Sequence, residues 1–187
     1  MRPENEDTKL DVDDEAYFDD TERKPRHRFD EKLLQAPISV LSRRIPMVFT
    51  ESDTVQTAVR AMQAEHRGVV LISEDGTRQT ELTGIFTERD VLLRVVDRGR
   101  DPSTVCLREV MAKNPESLLR TAPVAAVLNK MSVGGFRHVP IVDSRGRPVF
   151  VVSMRDAVEY LVDSFPTEIS NLPPQDGPER YRTRDGA

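Results

Sequence analysis

Two short stretches carry side chains whose types and spacing point to chemistry: Thr87-Glu88-Arg89-Asp90 and Ser153-Met154-Arg155-Asp156. Each pairs a hydroxyl with a carboxylate three residues on. Each also follows a strand-like trio, Gly84-Ile85-Phe86 in the first and Phe150-Val151-Val152 in the second. The pattern predicts a strand turning into a helix, with the hydroxyl as N-cap facing the unpaired amides of the first turn. The carboxylate stays inside that turn, where the positive end of the helix dipole favours it. Gly84 leaves bare backbone three residues before the first cap, open to close approach. Such a corner holds things by hydrogen bonding. As a capping box alone it stabilises a helix by about 1 kcal/mol. Its use as a binding site rests on its occurring twice.

Groups for bond-making are missing from the pattern. His27, His66 and His138 show no metal-ligand spacing. There is no Gly-x-Ser-x-Gly, no phosphate-cradling glycine loop and no Walker lysine. Cys106 is the single cysteine, which rules out an internal disulfide and a multi-cysteine metal site. The expectation is a protein that is not an enzyme and requires no cofactor.

The elements that position the corners are themselves duplicated. Ile38–Met62 and Leu107–Met131 are both 25 residues long, at a constant offset of 69. Pro46 falls on Pro115, Val55 on Val124, Met62 on Met131 and Ile72 on Ile141. After the next loop the offset becomes 66, which brings Thr87 onto Ser153 and Asp90 onto Asp156. Val55, Ala58, Val59 and Met62 recur at helical spacing, as do Val124, Val127, Leu128 and Met131. Apolar runs at Val69–Ile72 and His138–Val142 read as strands covered on both faces. The order is β-α-β-β-α twice, an α+β fold (α/β-like in its buried strands) in which each unit is too small to cover its own apolar face.

The expected organisation is an acidic disordered tail (1–36), a first repeat (37–100), a second repeat (101–163) and a proline-rich tail (164–187). Residues 1–22 hold ten acids and two bases, a net of −8, so a chain of total charge −5 has a body of +3. That balance suits a small anionic ligand and falls short of a nucleic-acid footprint. No apolar run approaches a membrane span, and the acidic start is unlike a signal peptide. A cytoplasmic protein is expected, with no nucleic-acid or membrane partner.

The repeat, with Gly-hydrophobic-x-Thr/Ser-x-x-Asp leading into its last helix, resembles the cystathionine-β-synthase (CBS) domain. Two in tandem resemble a Bateman module. Gly84–Asp90 matches that pattern in full, and Phe136–Asp143 is similar to the stretch that opens the family's middle strand. The resemblance covers residues 37–163 and implies two repeats packed as a pseudo-two-fold pair. It also implies an adenine nucleotide (AMP, ADP or ATP) in a cleft between them, a homodimer, and signalling to an unidentified protein target. In that frame Asp90 accepts hydrogen bonds from the ribose hydroxyls, and Thr87 offers its hydroxyl beside the helix N-terminus. Val48 and Phe49 wall the base, and Arg137 and His138 reach phosphates across the cleft. Ser153 and Asp156 keep a second ribose site open. Phe150 stands where the first copy has Gly84, and is expected to fill nucleotide space there. One competent site is therefore expected, at Thr87 and Asp90. The alternative is a dimeric interaction scaffold that binds no ligand, which Phe150 favours.

Overall fold

The computed structural model describes residues 31–41 and 44–164. The acidic stretch up to residue 30 and the proline-rich stretch from 165 lie outside the described residues. Residues 31–36, the end of the stretch read as a tail, begin the structure with helix α1 (Glu31–Gln35), and a 3-10 turn follows at Ile38–Val40. The first repeat then runs β1 (Val48–Phe49), α2 (Val55–Ala64), β2 (Val69–Ser73) and β3 (Leu82–Thr87). Its last helix starts as α3 (Glu88–Asp90) and continues as a π-helical stretch, Val91–Val96. After α4 (Leu107–Val110) and β4 (Ala112–Lys113), the second repeat runs β5 (Leu118–Leu119), α5 (Val124–Gly134), β6 (His138–Val142), β7 (Pro148–Ser153) and α6 (Met154–Ser164). The predicted β-α-β-β-α order is present twice.

Each repeat builds one sheet, β1-β2-β3-β4 and β5-β6-β7. In both, a two-residue opening strand lies parallel to the next and an antiparallel hairpin follows; in the first sheet β4, contributed by the second repeat, adds an antiparallel fourth strand beside β3. β-branched residues dominate β2 and β6, and four of the five positions in each are buried, so both faces are covered. Both hairpins end in the same register, Val69 opposite Thr87 and His138 opposite Ser153. The backbone then closes each corner with one bond: Glu88 N donates to Gly68 O at 3.1 Å, and Met154 N to Arg137 O at 2.8 Å.

The opening segments cross over. Ile38 N donates to Ala122 O and Val124 N to Ala36 O, both at 2.9 Å, tying the start of the first repeat to the second. Leu107 N donates to Asp53 O at 2.8 Å and Val55 N to Val105 O at 3.0 Å, the same exchange in reverse. The cores follow suit. Ile38 and Leu41 pack with Val124, Val127 and Met131, while Leu107, Val110 and Met111 pack with Val55, Ala58 and Met62. This reciprocal exchange is the pseudo-two-fold pairing expected of the fold. The hairpins are joined as well, through Leu82 N to Gly146 O at 3.0 Å.

Two core positions revise the sequence reading. Gly84 is buried, and a β-carbon there would overlap Met111 Sδ. The group that approaches its bare backbone is thus a core methionine, with β4 paired alongside (Gly84 opposite Lys113). Phe150 pairs with Ile141 and lies in the second core with Val139 and Val152. It fills no ligand space.

The turn between β6 and β7 is held by one carboxylate. Asp143 accepts from Arg145 N at 2.8 Å, Arg147 N at 3.0 Å and Arg147 Nε at 2.7 Å. The Arg147 hydrogen bonds hold its carboxyl down at about 2. A folded value below the unfolded one stabilises the fold above the ordinary aspartate range, and that contribution is lost as pH falls from there toward about 2. An NMR titration is expected to find Asp143 near 2, and higher in Arg147→Ala, which removes the guanidinium bond and keeps the two backbone donors.

Candidate functional site

The two corners are built alike. Thr87 N and Oγ1 donate to Asp90 Oδ2 at 2.9 and 2.7 Å, and Asp90 N donates back to Thr87 Oγ1 at 3.4 Å. Ser153 N and Oγ donate to Asp156 Oδ2 at 2.7 and 2.6 Å, and Asp156 N to Ser153 Oγ at 3.2 Å. Capping therefore occupies one oxygen of each carboxylate. The other oxygen distinguishes them. Asp90 Oδ1 is paired with Arg94 Nε at 3.2 Å, and Arg94 also donates to Val110 O at 2.8 Å. Asp156 Oδ1 has no hydrogen bond or ion pair among the described residues.

Each corner opens onto a cleft lined by both repeats. The Asp156 cleft, about 300 Å³, brings Ser153, Met154, Arg155 and Asp156 together with Arg137, His138, Pro46, Met47, Arg67 and Arg44. The Asp90 cleft, about 730 Å³, brings Thr87, Glu88, Arg89 and Asp90 together with Pro115, Glu116, Phe136, Arg137 and His138. Arg137 and His138 thus serve both. The strand register explains why: β6 begins at His138, directly across from Ser153, so these residues belong to the Asp156 corner before they reach the other. Val48 and Phe49 line neither cleft; the residues just before them, Pro46 and Met47, line the Asp156 cleft instead. Gly84 and Phe150 line neither.

Charge separates the clefts further. Four arginines line the Asp156 cleft against one carboxylate, whereas two arginines line the Asp90 cleft against Glu88, Asp90 and Glu116. Some of these charges are spoken for: Arg155 pairs with Glu159, Arg67 donates to Ile45 O, and Glu116 pairs with Lys130. The Arg137 guanidinium makes no hydrogen bond or ion pair among the described residues. Burial holds the His138 imidazole below the ordinary histidine range, opposed by the Glu88 and Asp156 carboxylates and reinforced by Arg137. It is the neutral partner in this group at pH 7. Among the described residues no group of three or more His, Cys, Asp and Glu is placed to hold a metal.

One strained residue sits at the same cleft. Arg67 N bonds to Met62 O at 2.9 Å and His66 N to Gln63 O at 3.3 Å, a Schellman end to α2 that puts His66 in the left-handed region at φ +50°. The matching position after α5 is Gly135, φ +67°. His66→Gly is expected to raise unfolding stability by about 1 kcal/mol, as measured by urea denaturation.

Sequence reasoning missed Pro46, Met47, Arg67 and Arg94. Asp90 and Arg94 stand four apart on one helix, a spacing that signals their pairing. Arg67 gives no such signal, because the duplication aligns it with Phe136.

Comparison with known proteins places this geometry. The family model for the CBS domain matches residues 38–97 and 107–163. The chain is 38% identical over 104 residues to the CBS domain-containing protein CBSCBSPB1 of Arabidopsis thaliana (55% of this chain, 18% of that protein). It is 29% identical over 126 residues to the mitochondrial CBS domain-containing protein CBSX3 of the same plant (66% and 60%). The chain therefore spans less than two thirds of either relative's length. Among solved structures, a conserved protein from Pyrococcus horikoshii superposes with a TM-score of 0.60 at 25% identity, covering 67% of this chain and 92% of that one. A CBS domain protein from Pyrobaculum aerophilum, complexed with AMP, superposes with a TM-score of 0.60 at 24% identity, covering 68% and 99%. The likeness at 24% carries the fold alone. With two matched repeats, two like corners and a reciprocal exchange of opening segments, the chain belongs to the CBS domain family and carries two CBS domains.

Proposed function

We propose that this chain is a regulatory module, cytoplasmic and non-catalytic, that binds an adenine nucleotide (AMP, ADP or ATP) in the Asp156 cleft. The observation that carries the reading is the open oxygen of Asp156 beside a cluster of arginines. A ribose diol supplies donors to that carboxylate, and guanidinium groups pair with phosphate in a bidentate fashion. The N-terminus of α6, an 11-residue helix, adds partial positive charge at the same corner. Pro46, Met47, Val69 and Val151 offer apolar walls to the base. A protein of the same fold has been seen with AMP, which makes the ligand class a natural one to test first.

Because both repeats line the cleft, a bound nucleotide bridges them. It shifts their packing only by as much as its affinity differs between arrangements. An unidentified protein target reads the shift. Exposed apolar residues on the helices after the corners (Leu92, Leu93 and Val96; Met154 and Val158) support a homodimer as the working unit. Phe150 lends nothing to the ligand-free scaffold, since it is a core residue.

Isothermal titration of the full chain with AMP, ADP and ATP tests the proposal. One tight site per chain is expected for at least one of the three. No heat with any of them, together with unchanged melting temperatures, would leave the scaffold reading.

A further inference from the structure

The two clefts share a wall: Gly68, Arg137 and His138 line both. The wall is thin. Gly68 has no side chain, and its place is taken by the Glu88 carboxylate, whose Cδ and Oε2 lie 2.8 Å from where a β-carbon on Gly68 would stand. The Glu88 side chain is exposed and makes no hydrogen bond or ion pair among the described residues, so it is free to swing aside. Beside it, the His138 imidazole feels the Glu88 carboxylate of one corner and the Asp156 carboxylate of the other. Both corners therefore lie within electrostatic reach of one ring.

The charge along the joined clefts is positive. Asp90 and Glu116 are balanced by Arg94 and Lys130, and Arg155 by Glu159. Arg67, Arg89 and Arg137 then stand against Glu88 and Asp156, before Arg44 is counted. Arg67 donates to a carbonyl, which leaves its charge in place. Arg137 alone among these cations lines both clefts. Two separate nucleotides would bring two phosphates to that one guanidinium, where they repel each other. One continuous phosphate chain shares it without that cost.

We propose that the joined clefts take a dinucleoside polyphosphate, a ligand with a nucleoside at each end of a phosphate chain: one ribose rests on Asp156, the chain passes Arg137, and the other ribose rests on Asp90. This rests on the proposed nucleotide function and extends its ligand. The Asp90 corner is the weaker reader, because Arg94 takes one lone pair of Oδ1 and leaves the other. Tethering makes up the difference. Once the first nucleoside is seated, the second meets its corner at a high effective concentration. The volumes, about 300 and 730 Å³, each suit a ligand pocket.

Isothermal titration of the full chain with diadenosine tri-, tetra- and pentaphosphate, beside AMP and adenosine tetraphosphate, tests the proposal. The best dinucleoside is expected to bind one per chain, about tenfold or more tighter than either single-nucleoside probe. Asp90→Asn, which keeps the shape of the cap and removes the charge, is expected to lower the ratio of dinucleoside to AMP affinity by about tenfold. Asp90→Ala is expected to do the same and guards against a local effect of asparagine. Equal affinity for adenosine tetraphosphate and diadenosine tetraphosphate, or a ratio untouched by both substitutions, overturns the bridging ligand and leaves AMP in its own cleft. Failure of every probe to bind defeats the nucleotide reading itself, and this proposal with it.

Discussion

Alanine at position 156 is expected to weaken AMP binding by about 10- to 150-fold, whereas alanine at position 90 is expected to change it by less than about threefold. The first figure follows from hydrogen bonds to a charged acceptor, about 1.5–3 kcal/mol. The two substitutions form a matched pair. Each removes an identical cap, with the hydroxyl and amide of Thr87 or Ser153 losing the same carboxylate oxygen. Each therefore costs a similar amount of stability, about 1 kcal/mol. Only the Asp156 substitution also removes an oxygen open to the cleft. A difference in affinity between the two variants thus reports the ligand, and the shared loss of stability cancels. Isothermal titration under one buffer condition reads it. Equal weakening by both substitutions would mean that the clefts contribute alike.

Phe150→Ala is expected to cost about 3–5 kcal/mol of unfolding free energy while leaving AMP affinity unchanged. The side chain is 7% exposed and sits among Val139, Ile141 and Val152, so removing it leaves a cavity in the second core. Such a loss is a large part of the roughly 5–15 kcal/mol that holds a domain folded. Urea denaturation measures the first half of the expectation and titration the second. A gain in nucleotide stoichiometry would restore the idea that this ring occupies ligand space.

The duplicated corner was legible because it is local. A hydroxyl, a carboxylate three residues on and an apolar strand before them specify a cap from sequence alone, and both caps formed. The β-α-β-β-α order was legible for the same reason. What sequence did not disclose depends on pairing between distant segments. That Arg137 lines two clefts follows only from the register of His138 with Ser153, which sequence does not show. Gly84 reads as an opening for a ligand until β4 and Met111 close on it. Phe150 aligns with a glycine, yet the second repeat uses that position for its core. The π-helical stretch at Val91–Val96 shows the same limit. Its i to i−5 bonds, such as Asp97 N to Leu92 O at 2.9 Å, follow an apolar spacing that fits an ordinary helix equally well.

The crossed leaders have a consequence for how the molecule comes apart. Since Ile38 and Leu41 complete the interior of the later half, and Leu107, Val110 and Met111 that of the earlier one, a cut between the halves strands apolar plugs on the wrong fragments. Neither fragment keeps a whole interior, so melting is bound to proceed as one event. A signal that loosens one half is felt by the other through shared plugs, without any need for a separate relay.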